Sequence, residues 1–201
     1  MENENQIPVS PATKNVLAKL GLELWDIAKL LLIALVIVLP LRYYIAQPFI
    51  VRGASMEPNF QDRQYLVIDE LTYHLRMPKR EESIVFHYHK DPQEYFIKRI
   101  IGLPGETVVI KDGDVTIKNS VNPEGFKLEQ PYLSPPDHPT YPDTKMTLGA
   151  DEYFVLGDNR DFSSDSRIWG AVNKNLIVGR TIFRAWPFSK FGPIPDYSIG
   201  Y

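Results

Sequence analysis

One serine and its neighbours have the features of a catalytic turn. Ser55 lies in the segment Gly53-Ala54-Ser55-Met56-Glu57-Pro58, where glycine permits close backbone approach and proline fixes the exit from the turn. A serine hydroxyl attacks a carbonyl only after a base has removed its proton. The Ser55 backbone N–H could donate to the oxyanion that then develops. The segment therefore predicts a nucleophile and part of an oxyanion hole.

The best candidate for the base is Lys98, within Tyr95–Ile101. Strand alternation places Lys98 on the face of Phe96 and Ile100, with Arg99 on the opposite face. Burial penalises the ammonium and lowers a lysine pKa, by as much as about 3–5 units when burial is complete. A guanidinium stays protonated and cannot act as a base. The alternative is a lysine that reaches water from a sheet edge.

Histidine is the usual base, and the chain has four: His74, His87, His89 and His138. None lies in a segment with the flanking glycines or acidic partners that would single it out as a base. His87 and His89 would share one strand face and could hold a metal, but no third ligand is evident. We therefore predict a Ser/Lys site with no metal and no cofactor.

A polar loop, Gly157–Arg167, follows the apolar run Tyr153–Leu156. Its eleven residues include three aspartates, two arginines and three serines. The composition predicts a turn braced by ion pairs, with Asp165 bound to Arg160 or Arg167. It also suggests that one of the serines hydrogen-bonds the base, and such bracing would keep the base in place.

The elements that must carry these residues are mostly strands. Short runs rich in β-branched and aromatic residues predict strands at Ile45–Val51, Gln64–Asp69, Ser83–His89, Tyr95–Ile101, Thr107–Ile110, Asp114–Lys118, Tyr153–Leu156 and Leu176–Trp186. Asp112-Gly113 predicts a two-residue hairpin turn, and Gly102–Gly105 a second turn. The fold is predicted to be mainly β with antiparallel sheets, in one domain at 48–201. Six prolines at 119–149 predict a surface insertion, either a simple loop or a partner-binding segment.

The N-terminal part predicts a membrane anchor at 23–47. Leu30–Leu41 has no charge, and extension to Ile27–Gln47 reaches the ~20 residues that a spanning helix needs. Trp25 and Tyr43 lie where interfacial aromatics occur. Lysines before the segment predict a cytoplasmic tail at 1–22 and a large domain outside. A buried core helix and a cleaved signal peptide are the alternatives.

Charge and cysteine content exclude other functions. The net charge of −3 and the lack of a dense basic patch argue against nucleic-acid binding. The absence of cysteine excludes disulfides and thiol catalysis.

Taken together, three segments resemble those of type I signal peptidases (leader peptidases), which are membrane-bound Ser/Lys endopeptidases. The matching stretches are Ser55–Pro58, Tyr95–Glu106 and Tyr153–Gly170, in the family's order and spacing and after an anchor. The resemblance implies a β-rich domain around a small barrel-like catalytic core. It also implies cleavage of leader peptides from exported preproteins after small residues at −1 and −3, through an acyl-enzyme.

Individual roles follow from the resemblance. Ser55 matches the nucleophile, Lys98 the base, and Ser163 the serine that orients the base. Met56 matches a residue that meets the membrane near the site. The loop-bracing residues are matched by Asp158, Arg160, Asp165 and Arg167.

The chain departs from the family pattern at several positions. Gly53 stands where some relatives have a serine that completes the oxyanion hole, so the second donor would be its backbone or a water. Asn59 stands where the motif usually has threonine, and Glu106 where aspartate is usual. Glu81–His89 lacks the Gly-Asp that normally opens the corresponding strand.

The resemblance implies a monomer in the plasma membrane or a thylakoid-type membrane. It would cross once, with the N-terminus cytoplasmic and the catalytic domain on the outer or trans side, in contact with lipid and preproteins. Two other functions remain open: a self-cleaving Ser/Lys repressor-type protease, and a catalytically silent, membrane-anchored β-rich binding module. A repressor would carry a DNA-binding head, which this apolar N-terminus does not resemble.

Overall fold

The described part of the N-terminal unit is a single long helix, α1, at Pro11–Tyr44. The computed structural model describes residues 11–44 and 47–198, with side chains at 19–39 and 48–198. Residues 11–22 of the predicted tail are helical, because proline suits a first helical turn and good helix formers follow it. The large apolar side chains from Leu30 to Leu39 are 44–70% exposed. The predicted anchor covers 23–47, but no helix among the described residues is long and apolar enough to cross a membrane.

The second unit is β-rich. Its strands are β1 Gln47–Ile50, β2 Tyr65–Asp69, β3 Ser83–Tyr88, β4 Asp91–Gly102, β5 Thr107–Lys111, β6 Asp114–Lys118, β7 Phe126–Lys127, β8 Thr144–Thr147, β9 Glu152–Leu156, β10 Val172–Asn173, β11 Ile177–Trp186 and β12 Gly192–Pro193. Helices α2 (Thr72–Leu75) and α3 (Ser166–Trp169) have one turn each, and 3₁₀ turns cover Lys174–Leu176 and Phe188–Lys190. All eight predicted strands are present, although residues 45 and 46 of the first lie outside the described residues, and the mainly β prediction is confirmed.

The larger sheet has the order β1-β2-β11-β3-β4-β9-β10, with β12 paired to β11. Every pair is antiparallel, as predicted. Within the described residues this sheet is open, and it does not form a closed barrel. Closure would require β1 to pair with β10, but β10 has only two residues and pairs only with β9.

The second sheet has the order β7-β6-β5-β8 and uses the Pro-rich segment 119–149. Asp112 and Gly113 adopt positive φ angles of 52° and 88° at the predicted hairpin between β5 and β6. Most residues of 119–149 are exposed, but the segment is more than a simple loop, because β7 and β8 pair with β6 and β5. Its apolar side chains also enter the core between the sheets: Leu128, Tyr132, Leu133 and Leu148 are 2–4% exposed.

Strand β4 lies between β3 and β9, near the middle of the larger sheet. The loop that follows β9 is therefore brought beside β4, although their sequences are far apart. The connection between β1 and β2 carries Ser55. Three separate parts of the sequence thus meet at Lys98 and Arg99 of β4.

Candidate active site

The turn that carries Ser55, Gly53–Pro58, is held by backbone hydrogen bonds between the segments that flank it and by buried apolar side chains. The Val51 N–H donates to Gln64 O and the Arg63 N–H to Val51 O, each over 2.9 Å. Met56 and Phe60 are each 1% exposed and pack into one core cluster. This burial contradicts the implied lipid contact of Met56. The Met56 sulfur faces the protein interior, where it accepts the Asp158 N–H over 3.4 Å.

Gly53 and Ser55 differ in the availability of their backbone N–H groups. Gly53 has φ +86°, and its N–H donates to Asp62 Oδ1 over 2.9 Å. It is therefore engaged by a carboxylate rather than open to a substrate oxyanion. The Ser55 N–H has no acceptor among the described residues.

The side chain of Lys98, on β4, meets that of Ser55. Lys98 Nζ lies 2.7 Å from Ser55 Oγ and donates to Ile97 O over 2.9 Å. Lys98 is only 4% exposed, so it does not reach water from a sheet edge. Burial lowers the pKa of Lys98 to about 8, although the negative charges of Asp165 and Asp158 oppose the shift. About a tenth of this amine is therefore neutral at pH 7, far more than for a lysine in water.

On the opposite face of β4, Arg99 forms a bidentate ion pair with Asp158. Nε donates to Oδ1 over 2.8 Å and Nη2 to Oδ2 over 2.7 Å, and Nη1 donates to Glu81 O over 2.7 Å. The guanidinium carbon lies 4.1 Å from the centre of the Tyr132 ring. The sequence analysis excluded Arg99 as a base but did not predict its ion pair with Asp158. The only signal for that pair was the position of Arg99 next to Lys98.

The loop after β9 is braced as predicted. Asp165 forms an ion pair with Arg167, one of its two predicted partners. The Nε–Oδ1 and Nη2–Oδ2 distances are both 2.8 Å. Asp165 also receives the Gly157 N–H over 3.0 Å. Arg160 donates from Nε to Gly157 O over 3.0 Å, and its other nitrogens donate to Thr140 and Gln130 side chains. These contacts fix Gly157 from both sides.

Ser163 lies beside the site without the predicted bond to the base. Its Oγ is buried and has no hydrogen-bond partner among the described residues. Gly157 separates it from Ser55: a Cβ on Gly157 would lie 2.2 Å from Ser163 Oγ and 2.4 Å from Ser55 O. The predicted Ser163–Lys98 hydrogen bond is therefore absent here, because Lys98 Nζ is directed at Ser55 Oγ and Ile97 O.

Asn159 was not singled out from the sequence, but it donates two hydrogen bonds to the backbone of the turn that carries Ser55. Its N–H donates to Ser55 O and its side-chain Nδ2 to Ala54 O, each over 3.1 Å. An Asp-Asn pair directly after the β9 pattern was the available signal, since short polar side chains often cap turns.

The histidines have other contacts. His87 Nδ1 lies 2.7 Å from Pro92 O, and His138 Nε2 lies 3.1 Å from Asp161 Oδ2. His89 lies just after the end of β3, not on a strand face shared with His87. No three His, Asp or Glu side chains in the described part of the chain are grouped to hold a metal ion.

Comparison with known proteins gives a consistent set of relatives. The family profile described as "Signal peptidase, peptidase S26" matches residues 24–186. A signal peptidase I from Leptolyngbya laminosa is 34% identical over 209 residues, covering 98% of each chain. One from Bacillus caldolyticus is 36% identical over 172 residues, covering 79% of this chain and 90% of that one. A crystal structure of a signal peptidase I from Enterococcus faecalis V583 has a TM-score of 0.45 and 31% identity, covering 52% of this chain and 97% of that one. The profile match includes every site residue from Ser55 to Arg167.

Proposed function

The chain belongs to the signal peptidase family, peptidase S26, and we propose that it removes signal peptides with Ser55 as nucleophile and Lys98 as general base. Membership of this family makes it a serine endopeptidase that acts on signal-peptide-bearing preproteins. The observation that carries the residue assignment is the 2.7 Å separation of Lys98 Nζ and Ser55 Oγ in a buried setting. No metal or cofactor takes part in the proposed reaction.

The proposed reaction proceeds through an acyl-enzyme. Neutral Lys98 accepts the hydroxyl proton of Ser55 as Oγ attacks the carbonyl carbon of the scissile bond. The Ser55 N–H donates to the resulting oxyanion. The tetrahedral intermediate collapses as the C–N bond breaks and the Lys98 ammonium gives its proton to the leaving amine. Lys98 then takes a proton from water, whose oxygen attacks the ester carbonyl carbon. The ester C–O bond breaks, the Lys98 ammonium returns its proton to Ser55 Oγ, and the signal peptide leaves with a new carboxylate.

The loop after β9 is proposed to hold the base in place. The Asp165–Arg167 pair and the Arg160 contacts fix Gly157, against which both serines pack. The Ser163 hydroxyl has unused hydrogen-bonding capacity beside the site. We assign it the role of binding the Lys98 ammonium after the Ser55 proton has moved.

The pH dependence of cleavage should report the base. Because only the neutral amine can accept a proton, and burial lowers the pKa of Lys98 to about 8, kcat/KM should rise with pH and level off above that value. On the acid side the rise should approach about tenfold per pH unit for a single essential base. Steady-state cleavage of a fluorogenic leader peptide from about pH 6 to 10 measures the profile. A flat profile, or one that falls with pH, is incompatible with Lys98 as the base.

Cleavage of preproteins tests the proposed function directly. A purified preprotein with alanine at −1 and −3 should be cut once, and a matched preprotein with a bulky residue at −1 should remain intact. N-terminal sequencing of the product locates the cut, and mass spectrometry after treatment with an acylating inhibitor should place the adduct on Ser55. A silent binding module would give neither product nor adduct.

The surface offers apolar contacts for a membrane. Besides the exposed leucines of α1, a continuous exposed strip begins beside the Ser55 turn. It follows strand pairing from Ile50 to Tyr65 to Trp186, and ring contacts from Trp186 to Phe188 to Phe191. Exposed apolar area of this kind supports contact with lipid. The cytoplasmic N-terminus and the outer location of the catalytic unit stay predictions, which protease protection in sealed vesicles would test.

A further inference from the structure

The side chain of Asn59 uses both of its N–H donors. Nδ2 donates to Asp158 Oδ2 over 2.8 Å and to Tyr132 O over 2.7 Å. A carboxamide nitrogen has two donors in one plane, whereas a threonine hydroxyl has only one. The residue that departs from the usual family motif therefore makes two bonds that the usual residue could not make together.

Asn59 is also held at its backbone. Its carbonyl oxygen accepts a hydrogen bond from Arg184 Nη2, on β11, over 2.7 Å. The next residue, Phe60, is buried and donates its N–H to Met56 O over 2.9 Å. The amide of Asn59 is thus a fixed point of the Ser55 turn and not a mobile surface group.

These contacts close a ring of bonds around the two reacting side chains. Asn59 lies four residues after Ser55 in the same turn. It binds Asp158, which binds Arg99 through two hydrogen bonds. Arg99 follows Lys98 on β4, and Lys98 Nζ returns to Ser55 Oγ at 2.7 Å. A shift of Asn59 would therefore change the separation of the two reacting atoms.

We infer that Asn59 is a positioning residue, whose amide links the Ser55 turn to the Arg99–Asp158 pair and so sets the approach of Ser55 Oγ to Lys98 Nζ. This inference rests on the proposed function. The bond to Tyr132 O extends the link to the Pro-rich segment, which the sequence interpretation had placed on the surface. The effect should fall on the chemical step, because both side-chain N–H donors of Asn59 are used within the protein.

The test compares Asn59→Ala and Asn59→Thr in the full-length protein with a leader-peptide substrate. For Asn59→Ala we expect kcat to fall by about 10- to 100-fold, since a misplacement of about 1 Å can cost 10²-fold, with KM changed by less than about threefold. Asn59→Thr, which keeps one donor, should recover a large part of the loss. The midpoint of the pH profile should stay where it is, because Lys98 remains buried.

Controls separate positioning from loss of structure. Asn122→Ala, in an exposed turn, should leave kcat unchanged. General loosening of the site would hydrate Lys98 and move the midpoint of the pH profile upward, so an upward shift in Asn59→Ala would overturn the inference. A kcat of Asn59→Ala within about twofold of the unsubstituted protein would overturn it as well. Failure of the proposed function looks different, because Ser55→Ala and Lys98→Met would then retain cleavage.

Discussion

Replacing Lys98 by methionine should lower kcat/KM for preprotein cleavage by at least about 10³-fold. Methionine has nearly the length of lysine and no group that accepts a proton. Because Lys98 is 4% exposed, an apolar side chain suits its site and the fold should be kept. Removal of the amine would leave Ser55 with no base at the 2.7 Å separation seen here. Residual activity would come from substrate binding and from the Ser55 N–H.

The measurement is cleavage of a preprotein in detergent, with thermal unfolding recorded for each variant. Ser55→Ala should cause a loss of similar size, and the double variant should be little worse than either single one, because the two groups act as a unit. Lys111→Met, at an exposed position next to the β5–β6 hairpin, is the matched control and should cleave normally. If Lys98→Met cleaves within about tenfold of the unsubstituted protein, the base assignment is wrong.

What could be predicted from sequence depended on local periodicity. Alternation along β4 separated Lys98 from Arg99, and the two side chains do reach different partners, Ser55 and Asp158. The hairpin at Asp112-Gly113 depends on two adjacent residues that tolerate positive φ. Each of these features is set within a few residues, so a sequence pattern is enough to find it.

What could not be predicted depended on pairings between distant residues. Asp158 meets Arg99 across 59 positions and Asn59 across 99. Prolines suggested a simple surface loop at 119–149, yet two short strands within it join the second sheet and four of its apolar side chains enter the core. Met56 likewise turns inward because the Asp158 N–H and the Phe60 cluster meet it there. No local pattern specifies such long-range contacts.

Gly157 is a position at which the addition of a single methyl group should have a large effect on cleavage. Its Cα lies where the Ser55 backbone and the Ser163 side chain converge, and an added Cβ would be 2.4 Å from Ser55 O and 2.2 Å from Ser163 Oγ. Real Cβ atoms do not approach other atoms so closely, so the nucleophile turn or the loop must move. We expect Gly157→Ala to lower kcat by about 10²-fold or more, because the approach of Ser55 to the base must change.

Gly21→Ala is the matched control, since a Cβ there meets nothing within 4 Å and the residue lies on helix α1. It should leave cleavage unchanged, while Gly157→Ala should also show less labelling of Ser55 by an acylating inhibitor. Normal labelling and cleavage by Gly157→Ala would mean that the loop yields without moving Ser55. In that case the bracing by Asp165 and Arg160 does not position the nucleophile, because two hydrogen bonds to Gly157 would have failed to hold it against one methyl group.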